Sequence, residues 1–414
     1  MGTRRGKRPA LDRVQGEAAP GGAALVANAL PASVSVLVVG GGPVGCACAA
    51  MLARAGIDVL VLEASTDVAP DPRALAVAWS SRQTLADLGV WQALAVTPMH
   101  HVHVSEAGCP GSTTLDAATA GLPELGYTVR YSDLAAALRG SVGASLRFGA
   151  RASAVDPPAR PDAPARVRVD TAEGSCSIET RLVVVADGQG EWPGIRRRLH
   201  EYPHAALLVD LHFADAPAGW AWERFTPEGP LAILPRATAQ GLRHTLVWSV
   251  PPARAHALAA LDDAGLAAVI EAAVGPRLGR VLEVGARATR RTALAVADPR
   301  VGPRLVAIGN AAQTLHPIAG QGFNLGLRDA AVLAARIADL PLEAIGSPAM
   351  LDDYQLSRRS DQWGGIAYTH GLLQIASLRA DPLRLLRGLG LAALDVLPGA
   401  RRALLSRSVF GLHL

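Results

Sequence analysis

The chain has 414 residues, half of them hydrophobic, and a formal charge of only +4. That length suits two or three domains around a sizeable apolar core. The bases gather at the two ends and leave a slightly acidic middle, which argues against a nucleic-acid channel. The four cysteines (Cys46, Cys48, Cys109, Cys176) lack metal-ligand spacing and read as small buried thiols in a reducing compartment.

Residues 1–32 carry five bases against two acids and read as a disordered N-terminal extension. The apolar, β-branched run 34–39 then predicts a buried parallel strand. It leads into Gly40-Gly41-Gly42-Pro43-Val44-Gly45, an Ala-rich helix to Ala55, and a second strand, 57–62, ending at Glu63. A GxGxxG pattern alone is weak; placed between a strand and a helix, with an acid closing the next strand, it predicts a dinucleotide site. Gly40 would make the tight turn, Gly42 would admit the pyrophosphate, and Gly45 would let helix and strand pack closely. Glu63 would accept hydrogen bonds from a ribose hydroxyl, and the helix N-terminus would face the phosphates.

Further on, Ser81–Leu88 and Ser132–Leu138 are predicted helices with serine caps. Leu182–Ala186 is a buried strand ending at Asp187-Gly188. Residues 206–250 alternate apolar and polar positions, as an antiparallel sheet with one covered face does. Residues 254–274 read as helix and 304–308 as a last buried strand, ending at Gly309-Asn310. A Gly-rich loop runs to Gly326, and the chain is then predicted helical almost to its end. Distant strands delivering polar residues to one sheet edge suit an elongated ligand such as FAD. No run approaches the ~18 apolar residues of a spanning helix, so a cytoplasmic location is expected.

At these residues the sequence resembles the flavoprotein aromatic hydroxylases of the p-hydroxybenzoate hydroxylase fold. Their three signatures match Gly40–Gly45, Asp187-Gly188 and the run from Gly309 to Gly326 that contains TLHPIAGQGFNLG. The long third motif, with DPRALAVA around Arg73 and ERFTPEGPLAILP from Glu223 to Pro235, is similar to the ubiquinone-pathway hydroxylases, especially the 2-polyprenyl-6-methoxyphenol hydroxylase branch. The resemblance implies an α/β fold: a Rossmann-like FAD-binding domain, an interleaved antiparallel-sheet substrate domain and a helical C-terminus. The FAD-binding parts would be 33–100, 128–200 and 297–345, the substrate parts 101–127 and 201–296, and the helical region 346–414.

The implied activity is monooxygenation of a polyprenylated phenol in ubiquinone biosynthesis, with NAD(P)H as a transient reductant and a C4a-hydroperoxyflavin. Arg73 would approach the FAD pyrophosphate or the isoalloxazine side, Asp187 would contact the cofactor and Asn310 the ribityl chain. Pro317 to Gly320 would pass beside the flavin ring. Gly320 and Gly322 would let backbone lie flat on it, and the helix opening near Phe323 and Asn324 would favour charge on reduced flavin.

Two departures stand out. Asn310 replaces an aspartate, as in the resembled branch, and the segment after Gly188 lacks the family's Ser and Arg, leaving Arg196, Arg197 or Arg198 as substitutes. His316 is a candidate acid–base residue because imidazole titrates near neutrality; a loop-structuring hydrogen bond explains it as well. Trp222 and Arg224 are candidates to flank the substrate. Phe225, Ile233 and Pro235 are candidates for an apolar tunnel, and strand packing accounts for all five equally.

The His100-His101-Val102-His103 run lacks a partner carboxylate motif, and no metal is expected. The basic, amphipathic C-terminal stretch suits peripheral contact with the inner membrane surface, or packing on the catalytic domain. A multi-enzyme ubiquinone-synthesis complex is a further expected partner. A non-catalytic scaffold in such a complex, or a flavin-dependent isoprenoid dehydrogenase or reductase, stays open as an alternative.

Overall fold

The computed structural model describes residues 30–67, 71, 73–109, 111–156, 158–160, 162–188, 191–316, 320–377, 388–391 and 393. The predicted N-terminal extension, Pro317 and most of the basic C-terminal stretch lie outside them.

The apolar runs read from the sequence form the centre of one sheet. Ser33–Val39 pairs in parallel with Val59–Glu63 on one side and with Gly174–Val185 on the other. Leu305–Ala307 extends the sheet in parallel beyond Gly174–Val185, and Leu146–Phe148 does so beyond Val59–Glu63. The helix Pro43–Arg54 buries Cys46, Ala47, Cys48, Ala49 and Ala50. These small side chains let it lie close to the sheet and to the helix Gln321–Ala338. Val36, Val38, Leu182, Val184 and Val306 complete this core from the strands.

A second eight-stranded sheet holds the segment predicted to be antiparallel. Its centre is Arg197–Phe213, flanked by Val281–Ala297 and Gly241–Val250, followed by Gly229–Thr238 and Trp220–Thr226. His101–Glu106 joins Trp220–Thr226 in parallel, so the far edge comes from an earlier part of the chain. One face is covered by two helices, Pro252–Ala259 and Asp263–Val274, over Leu207, Ile233, Leu246 and Trp248. The single helix expected over 254–274 is interrupted because the Asp262 side chain accepts the Gly265 N–H at 2.8 Å and caps a new helix. A three-stranded sheet of Ala74–Ala78, Gly126–Arg130 and Val96–Met99 completes the α/β fold. After Gln321–Ala338 the chain forms the long helix Pro348–Ser377. No described helix is long and apolar enough to cross a membrane.

Candidate active site

One continuous cavity of about 1160 Å³ reaches from the glycine turn to the open face of the large sheet. Ligand pockets usually span roughly 300–1,000 Å³, so this one has room for an elongated cofactor and a second ligand.

At its first end the walls are mainly backbone. Gly40 has φ +111°, and a Cβ there would lie 2.5 Å from the Ala186 carbonyl oxygen. A Cβ on Gly45 would come within 2.1 Å of the Gly40 carbonyl. Gly42 differs: a Cβ would meet only the Tyr131 hydroxyl, at 4.0 Å, so protein packing does not demand glycine there. Gly42 instead opens on the cavity at the start of helix Pro43–Arg54, where no side chain caps the free N–H groups. Such a cradle fits a pyrophosphate. Glu63 accepts the Gly41 and Ser65 N–H groups, each at 2.9 Å, and so braces the turn while lining the cavity.

Arg139, which sequence reasoning missed, donates from Nε to the Gly41 carbonyl at 2.9 Å. Its buried Nη1 has no hydrogen-bond partner among the described residues, and the side chain lines the same cavity. An unspent guanidinium N–H beside an uncapped helix end suits an anionic ligand. Arg73 also borders the cavity, paired with Asp71 through Nε at 2.8 Å and lying 4.9 Å from the Tyr131 ring centroid.

The second and third motifs converge on this end. Asp187 accepts the Trp192 indole N–H at 3.0 Å. Of the three arginines considered as substitutes, Arg197 turns to the loop of the third motif: it donates to the Asn310 carbonyl and the Thr314 hydroxyl, both at 3.2 Å. Asn310, exposed, lines the cavity together with Gly320, Gly322 and Phe323. Gly320 takes φ +58° at the start of Gln321–Ala338, where a Cβ would lie 2.9 Å from the Ala76 Cβ. Asn324 borders the cavity, but its amide is already engaged. It donates to the Ala76 and Gly320 carbonyls and accepts from the Ala78 N–H, all at 2.9 Å. It therefore staples the loop to the strand Ala74–Ala78.

A buried polar network fixes the loop from behind. Asp329, fully buried, accepts from Arg358 at 2.9 Å and from Gln313 at 2.7 Å; Arg358 also pairs with Asp361 at 2.6 Å. The Gly309 N–H donates to Asp329 at 3.3 Å, which ties the third motif to two helices at once.

His316 lines the cavity, with its Nε2 3.3 Å from the Ser249 hydroxyl and its ring edge-on to Tyr202. Burial pushes its pKa down to about 3. Of the two readings the sequence offered, this geometry favours the loop-structuring hydrogen bond, here between loop and sheet.

At the second end the walls are side chains of the large sheet. Ala221, Glu223, Phe225, Ala232, Leu234 and Val247 line the cavity. Alternate residues of a strand face opposite ways, and this phase corrects part of the sequence reading. Ile233 belongs to the helix-covered core, not to the cavity wall. Pro235, in register with His244, shares that side, since His244 packs on Phe213 and Trp222. Arg224 also turns away, donating to the Ala273 carbonyl at 3.0 Å and to Ser105 at 3.1 Å. Phe225 does line the cavity, while Trp222 touches it but packs chiefly in the helix-covered core. Glu223 was passed over by one position.

The histidine run is engaged elsewhere. His101 Nδ1 lies 2.9 Å from Asp116, and His103 Nδ1 lies 3.2 Å from Thr114. Among the described residues no cluster of three or more His, Cys, Asp or Glu could hold a metal.

Comparison with known proteins agrees with this geometry. Residues 33–366 match the FAD binding domain family. The chain is 34% identical to ubiquinone hydroxylase UbiL of Rhodospirillum rubrum over 91% of its own length and 89% of that protein. It is 33% identical to the 3-demethoxyubiquinol 3-hydroxylase of Escherichia coli, over 87% and 94%. Among solved structures it resembles p-nitrophenol 4-monooxygenase of Pseudomonas putida, with a TM-score of 0.75 at 18% identity over 92% of this chain and 100% of the other. Aklavinone-11 hydroxylase with FAD and aklavinone gives 0.64 at 21%, over 85% and 70%. The last two show the fold. The glycine cradle, the third motif and the two close relatives agree: the chain belongs to the FAD-binding hydroxylase family of ubiquinone biosynthesis.

Proposed function

We propose that this protein is an FAD-dependent monooxygenase that hydroxylates the aromatic ring of a polyprenylated phenol in ubiquinone biosynthesis. The observation that carries the reading is the single cavity joining a pyrophosphate cradle to an apolar sheet face. The printed names of the two close relatives, a ubiquinone hydroxylase and a demethoxyubiquinol hydroxylase, support the substrate class. In balance, the phenol, O2, NAD(P)H and a proton yield the diol, NAD(P)+ and water.

When bound, FAD would supply the redox chemistry, which no side chain of the cavity provides. Gly42, Glu63, Arg139 and Arg73 would hold its nucleotide and phosphate end, and Asp187, Asn310 and the Gly320–Phe323 turn its flavin end. The uncapped start of Gln321–Ala338 opens on the cavity and favours negative charge there. His316 keeps the loop against Ser249. Ala221, Phe225, Ala232, Leu234 and Val247 would exclude water and hold an apolar ring and tail. The six arginines of residues 372–414 support peripheral contact with an anionic membrane surface, where a prenylated substrate would reside. Membership of a multi-enzyme assembly is a natural extension of that placement.

The test is an absorbance spectrum of the purified protein, followed by anaerobic NADH addition with and without a prenylated phenol. Flavin absorbance that bleaches faster with the phenol supports the reading. Protein that neither carries nor takes up FAD contradicts it.

A further inference from the structure

Among the described residues of the large sheet that line the cavity, Glu223 is the only acid, and its immediate neighbours are apolar. Across one rung, Val104, Glu223, Ala232, Val247 and Leu208 stand side by side in register. On its own strand, Ala221 and Phe225 share Glu223's face, and Leu391 reaches the cavity beside Phe225 and Val104. The Glu223 side chain makes no hydrogen bond or ion pair among the described residues. Its carboxyl is surrounded by protein, and the accessible part of its surface faces the cavity. The acid on the neighbouring strand, Glu106, lines a separate small hollow with Arg224 and Arg277. The other charged groups bordering the cavity, Glu63, Arg73, Arg139, Arg151, Asp187, Arg290 and Arg291, exert no resolved pull on Glu223. Burial alone pushes its pKa up to about 7.

A carboxyl kept without a partner on an apolar wall costs stability unless a ligand completes it. Building on the hydroxylase reading, we propose that Glu223 receives the substrate's phenolic hydroxyl and accepts its proton as the ring is hydroxylated. Ser249, the partner of His316, lies two strands across and two residues along from Glu223. At about 4.8 Å per strand and about 3.3 Å per residue, their Cα atoms are about 12 Å apart. Glu223 and His316 border the same cavity, which puts the carboxyl and the loop on either side of the space a ring would occupy. As the new ring C–O bond forms to one atom of O2, the O–O bond breaks, the other atom leaves as water with the two electrons of NAD(P)H, and the phenol O–H bond breaks. Its proton goes to the Glu223 carboxylate, and its electron pair closes a ring C=O bond. Loss of the hydrogen at the attacked carbon, as a proton to solvent, restores the aromatic ring, and Glu223 returns its proton to the original phenol oxygen.

Ionisation near neutrality suits this task, because a general base works best with a pKa close to the working pH. A free phenol ionises near pH 10, so the transfer accompanies ring attack and does not precede it. The apolar residues beside Glu223 would read a ligand that is apolar apart from its ring oxygens.

The experiment compares FAD-loaded wild type, Glu223→Gln and Glu223→Asp, using 2-methoxyphenol as probe. Binding is read from the perturbation of flavin absorbance on both sides of pH 7, and product is counted against NADH consumed. Wild type should bind about tenfold more tightly above that pH than below it, because a carboxylate accepts the phenol hydrogen more strongly than a carboxylic acid. Glu223→Gln should keep its FAD, lose the pH step, and form product about 100-fold more slowly, with less product per NADH consumed. Glu223→Asp should restore the step. Unchanged pH dependence and product yield in Glu223→Gln would overturn the proposal and leave the hydroxylase reading intact. A wild type that holds FAD yet neither binds nor hydroxylates any phenol would sink both.

Discussion

The two ends of the cavity are built from different materials. The cofactor end is backbone: glycines that admit a ligand or a neighbouring chain, a helix N-terminus, and loops pinned by Asn324 and Asp329. The substrate end is a pleated wall of side chains, in which a shift of one residue exchanges the cavity face for the helix-covered core. Backbone sites leave glycines in fixed order in the sequence. Side-chain walls leave only an alternation whose phase the sequence does not mark. The cofactor end therefore tolerates little change of residue type, while the substrate end can be re-specified position by position.

The largest effect should come from the support behind the cofactor end. Asp329→Ala removes the buried partner of Arg358 and the acceptor of the Gly309 and Gln313 donors. Breaking a buried pair by removing one partner costs about 3–5 kcal/mol. Denaturant unfolding should show that loss, with FAD affinity falling as well. A loss under about 1 kcal/mol would mean that Asp361 alone satisfies Arg358.

The strand phase gives a sharper contrast. Ile233→Ala empties a fully buried site and should cost about 3 kcal/mol without changing phenol affinity. Leu234→Ala, on the cavity side, should cost about 1 kcal/mol and weaken binding of a prenylated phenol. Calorimetry with and without the phenol separates the two, and a reversed pattern would break the assignment of faces.

Within the glycine turn, Gly45→Ala forces a Cβ against the Gly40 carbonyl and should destabilise the apoprotein by about 2 kcal/mol. Gly42→Ala meets no protein atom closer than 4.0 Å and should cost under about 1 kcal/mol. It should nevertheless weaken FAD binding. Equal destabilisation of both apoproteins would deny Gly42 a ligand-facing role.

These contrasts bear on what was legible. The strand–turn–helix context of Gly40 to Gly45 and the long third motif located the cofactor end because each residue type there answers a local backbone need. The WAWERFT strand has apolar residues at both parities, so Trp222 and Arg224 looked as eligible as Ala221 and Glu223. Arg139 was invisible because its partner, Gly41, lies far away in sequence and the link is a backbone carbonyl. The two readings of His316 could not be told apart in the sequence, because its burial beside Ser249 and Tyr202 depends on a sheet its own motif does not encode.

That burial gives an effect of a different kind, a slope with pH. The folded pKa of His316, about 3, lies below its ordinary 6.5, so between these values the unfolded chain binds the extra proton. The stability contribution is complete above about pH 6.5 and is lost as pH falls toward 3, at up to about 1.4 kcal/mol per pH unit. His316→Gln should flatten this part of an acid-unfolding curve, whereas an unchanged slope would place the titration on other groups.

The central claim is that one cavity brings a flavin and a phenol together for oxygen transfer. Its most direct test is aerobic turnover of a prenylated phenol with FAD, NADH and isotopically labelled O2, followed by mass analysis of the product. The account predicts a diol that has gained one labelled oxygen atom on the ring. Bound FAD with NADH oxidised but no labelled product, whatever phenol is supplied, would contradict it.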